Sequence, residues 1–280
     1  MSNRPAEDGP APRSYLFVPG DRPERFEKAW DSAADAVIVD LEDAVPPHRK
    51  EAARLAASAW LRADRPVWVR CNAADTPWFD DDIAIASQPG VAGLVLPKAE
   101  VVCPALRQLA SRTGLRLIAL VETAAGIAQA ESLAAAPEVE RLAFGALDFQ
   151  VDLGIEGDDD ALLAFRSRLV LASRLAGKPP PIDGVTPAID DDAALQRDTE
   201  RARRLGFGGK LCIHPRQIAV VHAVLAPSKA ERDWAARVVQ AMHACAGAAV
   251  AVDGKMVDRP ILMRARRIAA APDAGQRLRG

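Results

Sequence analysis

Cysteine is scarce: Cys71, Cys103, Cys212 and Cys245 are the only four, and they lie far apart. Neither a paired-cysteine metal site nor a disulfide framework can be read from that spacing, so a reducing, cytoplasmic setting is expected. No apolar run approaches the ~20 residues of a membrane-spanning helix. The opening stretch MSNRPAEDGPAP is polar and rich in proline, without the apolar centre of a signal segment, and residues 1–12 are expected to be a flexible start. Charge of one sign is missing too: 36 basic side chains meet 38 acidic ones, a net charge of −2. A protein built to hold nucleic acid or an anionic membrane surface would carry a strong basic bias. With 49% hydrophobic and 26% charged residues, the chain can bury a large core, and disordered and collagen-like classes are excluded.

The length, 280 residues, suits either two ordinary domains or one α/β barrel. Short apolar runs alternate with stretches of helical periodicity, the pattern of repeated β-then-α units over a parallel sheet. Eight runs are found, at 15–19, 36–41, 67–71, 93–96, 117–121, 141–144, 182–185 and 210–213. The helical stretches fall at 24–33, 48–63, 78–88, 100–112, 125–135, 159–176, 191–205 and 215–226. Eight such units without a long Pro/Gly linker favour a closed (β/α)8 TIM barrel over 13–227, with an open doubly wound sheet as the other fold. Residues 228–280 form a C-terminal extension: a helix over 228–245, an extended piece AVAVDGKMVDRP, and a helix over 261–271. A barrel does not need this extension, which can pack on its own barrel or on a neighbouring subunit.

The C-terminal ends of barrel strands carry the chemistry, and here they are heavily acidic. After the strands come Asp21 and Arg22; Asp40, Glu42 and Asp43; Arg70 and Asn72; Lys98; Glu122; Asp148; and His214 with Pro215. Any one carboxylate could be a helix cap or a solvated loop charge. Several converging on one mouth repel one another and call for a cation. Oxygen donors without His or Cys point to Mg²⁺, or Mn²⁺, rather than zinc. Glu122 and Asp148 are the expected direct ligands, because each is read as ending an apolar strand and the two strands are neighbours. Arg70 could hold a substrate carboxylate in bidentate fashion, or could be a structural partner of Glu42 or Asp43. A Schiff base on Lys98 would need a depressed pKa, which a carboxylate cluster opposes, so an ion pair is expected. His214 is expected to be positioned for its backbone and Cys212 to be inert core, while Trp78 and Phe79 could shape a pocket or belong to the core.

The segments RSYLFVPGDRPERFEKA, ADAVIVDLEDAVPPHRKEAAR, VRCNAADTPWFDDDI, LVLPKAE, LIALVETAAGI, LAFGALDF, GKLCIHPRQI and DGKMVDRPILMRARRI occur in this order. Together they resemble the citrate lyase beta-subunit family of CoA-thioester lyases, with its stand-alone malyl-CoA and citramalyl-CoA lyases. The resemblance runs from Arg13 into the C-terminal extension and implies a barrel of the phosphoenolpyruvate/pyruvate type. It implies Mg²⁺ on Glu122 and Asp148, Arg70 as the oxo-acid clamp, and Glu42 and Asp43 holding metal-bound waters. It also implies Phe17, Arg22, Lys28, Ile213 and Pro215 near the CoA thioester and the mouth, and Asp258 as a catalytic acid supplied by the neighbouring subunit of a homotrimer or hexamer. The activity implied is retro-Claisen cleavage of a 3-hydroxyacyl-CoA to acetyl-CoA and an oxo acid, with Glu122, Arg70 and Asp258 as catalytic residues. A beta subunit working inside a larger lyase complex, a metal-dependent aldolase for free acids, and a synthase that also hydrolyses the thioester are the alternatives.

Overall fold

The computed structural model describes residues 10–244 and 250–278. Most of the start expected to be flexible, and Cys245 at the end of the expected helix 228–245, lie outside them. Eight parallel strands close into a barrel in sequence order, so the TIM barrel holds and the open sheet does not. The strands are β1 (Ser14–Pro19), β2 (Ala36–Asp40), β3 (Val67–Arg70), β4 (Val91–Leu96), β5 (Leu117–Val121), β6 (Val139–Phe144), β7 (Ile182–Asp183) and β8 (Gly209–Cys212).

Side chains alternate across each strand, and the two faces fill different cores. Tyr15, Ile38, Trp68, Val95, Ile118, Leu120, Ala143, Ile182 and Leu211 point inward and plug the barrel. The outward set, such as Leu16, Val37, Val69, Leu94 and Phe144, packs beneath the surrounding helices. Both faces of most strands are therefore apolar, which is why they read as apolar runs; Asp183 of β7 and Lys210 of β8 are exceptions, paired at 3.5 Å. Continuing the inward register by two residues leads from Ile38 to Asp40, from Trp68 to Arg70, and from Leu120 to Glu122. The polar layer of the barrel mouth is thus the top of the inward stack.

The covering helices are α1 (Phe26–Trp30), α2 (Lys50–Trp60), α3 (Phe79–Ala84), α4 (Pro104–Thr113), α5 (Ala124–Ala128), α6 (Ala130–Ala135), α7 (Ala146–Leu153), α8 (Leu163–Leu175), α9 (Asp192–Leu205) and α10 (Gln217–Leu225). The sequence reading lacks α7 and joins α5 to α6. Phe149 of α7 seats that helix, with its ring centroid 5.4 Å from Phe144 of β6 and 4.7 Å from Phe165 of α8.

The extension is a small lobe with its own core. It comprises α11 (Lys229–Ala244), a hairpin of β9 (Val250–Val252) and β10 (Lys255–Val257), and α12 (Arg259–Ala270). Asp253 and Gly254 turn the hairpin with φ of 49° and 73°, the left-handed geometry that an Asp-Gly pair tolerates. Ala235, Val238, Met242, Val257 and Ala265 close the lobe's interior. Both ends of the lobe are tied to the N-terminal face of its own barrel. Arg203 at the end of α9 pairs with Glu231 at 2.7 Å. Beyond α12, Arg277 donates to the carbonyls of Ala34 and Trp30 at 2.8 and 2.7 Å, and the Leu278 amide donates to Asp35 at 2.8 Å.

Candidate active site

The C-terminal mouth of the barrel holds a cavity of about 300 Å³ lined by Phe17, Asp40, Asp43, Arg70, Glu122 and Asp148, together with Leu120, Phe144, Val185, Leu211 and Ile213. Arg70 is its fixed point. Its Nε and Nη2 donate to the two carboxylate oxygens of Asp40 at 2.7 and 2.6 Å, and its Nη1 lies 3.0 Å from Glu42 Oε2. Asp43 is farther, at 3.8 Å, and the Phe17 ring stacks 4.8 Å from the guanidinium carbon. The structural partnership weighed for Arg70 therefore exists, with Asp40 as its main member. Asp40 was among the strand-end acids, yet its pairing with Arg70 was missed; the signal is the β2–β3 register, which sets these two side by side. Asp40 also accepts from the amides of Glu42 and Ala44, at 2.9 and 3.2 Å. One buried carboxylate thus fixes both the guanidinium and the turn that carries Glu42 and Asp43.

Glu42 is buried and its pKa is pushed up to about 7, first by burial, against the pull of Arg70 and with Asp43 adding to the rise. Its Oε2 is close to Arg70 but makes no aligned hydrogen bond among the described residues. Lys98 Nζ reaches the other oxygen at 3.2 Å. Burial works against that ammonium, but the carboxylates around it, Glu42 first and then Asp43 and Glu122, together hold the Lys98 pKa above its ordinary value. This is the expected ion pair, and it disfavours a Schiff base. Lys50 was overlooked: its buried ammonium donates to the carbonyls of Leu41 and Glu42, at 2.8 and 2.7 Å, and so braces the same turn.

Glu122 is almost fully buried, and its Oε1 accepts from the Lys98 amide at 2.7 Å. Lys98 adopts φ 45° there, a left-handed backbone uncommon for lysine and characteristic of constrained sites. The Glu122 pKa is pushed up to about 8, mainly by burial, then by the like charges of Glu42 and Asp148. Gly145 leaves room for this carboxylate, because a Cβ at that position would collide with Glu122 Oε2. Asp148 does not end strand β6, as the sequence reading had it. Gly145 interrupts the strand and caps α7, and Asp148 stands exposed in the first turn of that helix beside Glu122.

The remaining candidates divide. Ile213 lines the cavity, held by its amide's 2.9 Å bond to Gln217 Oε1, while Pro215 and His214 stand half-buried behind it. The His214 ring accepts from the Arg216 amide at 3.2 Å, a local turn contact. Arg22 and Lys28 are exposed and outside the lining. Phe79 is core, and Trp78 packs over Lys50 at 5.2 Å, so neither shapes the cavity. Cys212 is buried, its thiol pushed up to about 12 by that burial, which keeps it inert. Asp258 is not brought to the cavity of its own chain; it caps α12, accepting from the Ile261 amide at 3.2 Å.

Chemically, Glu122 and Asp148 are two oxygen donors that no cationic side chain among the described residues pairs with, although Arg70 eases the charge on Glu122 from a distance, and a hard dication would relieve their repulsion. Among the described residues no three His, Cys, Asp or Glu side chains gather at metal-holding spacing. Two protein oxygens suit Mg²⁺, which commonly completes its shell with waters and substrate, and do not suit zinc.

Comparisons with known proteins agree with this geometry. The family model HpcH/HpaI aldolase/citrate lyase matches residues 13–215. A citrate lyase subunit beta-like protein of Deinococcus radiodurans is 39% identical over 274 residues, covering 91% of this chain and 95% of that protein. A (3S)-malyl-CoA thioesterase of Cereibacter sphaeroides is 35% identical over 271 residues, covering 94% and 95%. The crystal structure of CitE from Mycobacterium tuberculosis, in complex with magnesium, acetoacetate and coenzyme A, superposes with a TM-score of 0.79 at 37% identity, covering 94% of this chain and 97% of that one. The barrel, its acidic mouth and these matches together show that the chain belongs to the HpcH/HpaI aldolase/citrate lyase family and is a lyase.

Proposed function

We propose that this protein is a Mg²⁺-dependent carbon–carbon lyase that cleaves a 3-hydroxyacyl-CoA thioester, of the malyl, citramalyl or citryl type, to acetyl-CoA and an oxo acid. The observation that carries this reading is the juxtaposition of Glu122, raised and buried, with Asp148 on one side and the Asp40-braced Arg70 on the other. Magnesium, acetoacetate and coenzyme A bound to the related CitE support the same ligand classes here.

Glu122 and Asp148 would hold Mg²⁺, with Mn²⁺ as a substitute. The metal supplies Lewis acidity that lowers the pKa of the substrate hydroxyl. Arg70 has guanidinium protons beyond the two given to Asp40, and with them it binds the substrate carboxylate and opposes charge developing on the oxo-acid oxygen. The hydroxyl proton passes to water at the open mouth, the carbon–carbon bond breaks, and its electron pair becomes that of the acetyl enolate. Asp258 then protonates the enolate carbon, or removes that proton in condensation. Asp258 acts from the neighbouring subunit of a homotrimer or hexamer, because its own lobe is tied to the opposite face of its own barrel. Glu42, Asp43 and Lys98 order water and charge around the metal. Phe17, Arg22, Lys28, Ile213 and Pro215 face the thioester arm. The described cysteines are free thiols and no described helix is long and apolar enough to cross a membrane, in keeping with work in the cytoplasm.

Replacing Glu122 with Gln or Asp148 with Asn tests the reading: metal-dependent cleavage should vanish in both, and retained activity contradicts it. The thioesterase relative favours a second reading, in which thioester hydrolysis follows. Free CoA instead of acetyl-CoA as the thiol product would mark that case.

A further inference from the structure

The arginines of α9 and α12 are unevenly served by acids. In α9, Arg201 meets Asp158, Asp159 and Asp198, each within 3.3 Å. Just beyond it the helix ends against the lobe, and a groove of about 520 Å³ opens there, lined by Arg203, Arg204, Arg264, Arg267, Glu231 and Ile268. Glu231 is the one acid in this lining, and both its oxygens are already used. Its Oε1 accepts from Arg203 at 2.7 Å and its Oε2 from the Ser228 amide at 2.8 Å. Arg204 has one acidic neighbour among the described residues, Glu200 at 4.0 Å. In α12, Arg264 lies over the Trp234 ring, 5.4 Å from its centroid, and Arg267 follows it at the i+3 position. Neither pairs with a carboxylate among the described residues. Four guanidiniums thus border one space with a single carboxylate between them, and like charges so placed repel. An anion relieves that repulsion, and the guanidinium fork matches phosphate oxygens two at a time.

The surroundings limit what fits. Back along α9 the surface beside Arg204 turns acidic, with Asp158, Asp159, Asp198 and Glu200, and an extended polyanion such as nucleic acid would run into it. On the lobe side, past Arg264 and Ile268, the groove continues into an apolar one beside Trp234, Val252, Met256 and Ile261. Arg203 and Arg204 belong to the barrel, Arg264 and Arg267 to the lobe, so a ligand held by both sets joins the two.

We propose that the groove between α9 and α12, away from the mouth of the barrel, binds a compact anion with two or more linked phosphate groups and so fastens the lobe to the barrel. The proposal is independent of the lyase reading. Inorganic pyrophosphate and a nucleoside diphosphate offer the same phosphate chemistry, and the apolar continuation would take the base of the second.

Calorimetric titration of the full-length protein, stripped of divalent cations so that the acidic mouth repels anions, should show one pyrophosphate bound per chain, with affinity falling as salt rises. The ligand should also raise the melting temperature. ADP binding more tightly than pyrophosphate marks a nucleotide as the source, and equal or weaker binding marks a free polyphosphate. The double variant Arg264→Gln/Arg267→Gln should weaken pyrophosphate binding by about tenfold or more and abolish its effect on the melt. Arg259→Gln/Arg266→Gln removes the same charge from α12 outside the lining and should leave both near wild type. All four side chains are exposed, so neither variant disturbs a core. Arg204→Gln, exposed on the barrel side, should weaken binding as well. The proposal is overturned by the absence of saturable binding, by citrate binding as tightly as pyrophosphate, or by equal losses in the two double variants. Unchanged affinity in Arg204→Gln would overturn the link to the barrel.

Discussion

Asp40 carries more of the site than its position suggests, since Arg70 and the Glu42–Asp43 turn both hang on its two oxygens. Asp40→Asn takes from the guanidinium its main counter-charge and leaves only Glu42 and Asp43 beside it, so it should destabilise the fold by about 3 kcal/mol and weaken oxo-acid binding. Chemical denaturation and pyruvate titration would show both losses; wild-type values in both would contradict this role. Gly145→Ala should displace the Glu122 carboxylate and lower kcat/KM by on the order of 100-fold with the circular dichroism spectrum preserved. The raised carboxyls also set a pH trend. Between the ordinary carboxylate range and about 8 for Glu122, or about 7 for Glu42, the folded chain keeps protons that the unfolded chain has released. These two carboxyls therefore lower the stability of the metal-free protein as pH rises through that window, against an opposite contribution from His222, whose pKa burial lowers, and millimolar Mg²⁺, which favours the ionised pair, should flatten the carboxyls' part of the slope. Thermal melts from pH 5 to 8.5 with and without Mg²⁺ check the slope. The residue types of this site were legible at the strand ends; the Asp40–Arg70 bond was not, because it depends on strand register.

At the scale of elements, buried parallel strands announce themselves as apolar runs, so all eight strands were readable, each end within two residues. Helix α7 was not, because its first turn follows Gly145 directly and its residues, ALDFQVDL, continue the apolar tone of β6. That gap is what misplaced Asp148. In the lobe, the extended piece proved to be a hairpin leading into α12, and Asp258 sits at the junction as a cap. Asparagine caps as well as aspartate, so Asp258→Asn should leave the melting temperature near wild type while abolishing proton exchange at the acetyl methyl of acetyl-CoA. Asp258→Ala should in addition cost about 1 kcal/mol. Unchanged exchange in the Asn variant would remove Asp258 from the chemistry.

The whole molecule is a barrel with its cavity at one face and a lobe strapped to the other by the Arg277 and Leu278 contacts. Under the proposed role of Asp258, a neighbour's lobe must reach the mouth of this barrel. Co-assembly of Glu122→Gln with Asp258→Asn chains should therefore restore part of the activity that each lacks alone; no recovery in verified mixed oligomers would place Asp258 in its own barrel or outside the reaction. The account stands most directly on one measurement: acetyl-CoA release by the purified protein from malyl-, citramalyl- and citryl-CoA, with Mg²⁺ and then with EDTA. Cleavage of at least one thioester, with the matching oxo acid formed and the activity lost on chelation and regained with Mg²⁺, is the result predicted. Cleavage that persists without a divalent cation, or no cleavage of any of the three by folded, Mg²⁺-binding protein, would contradict it.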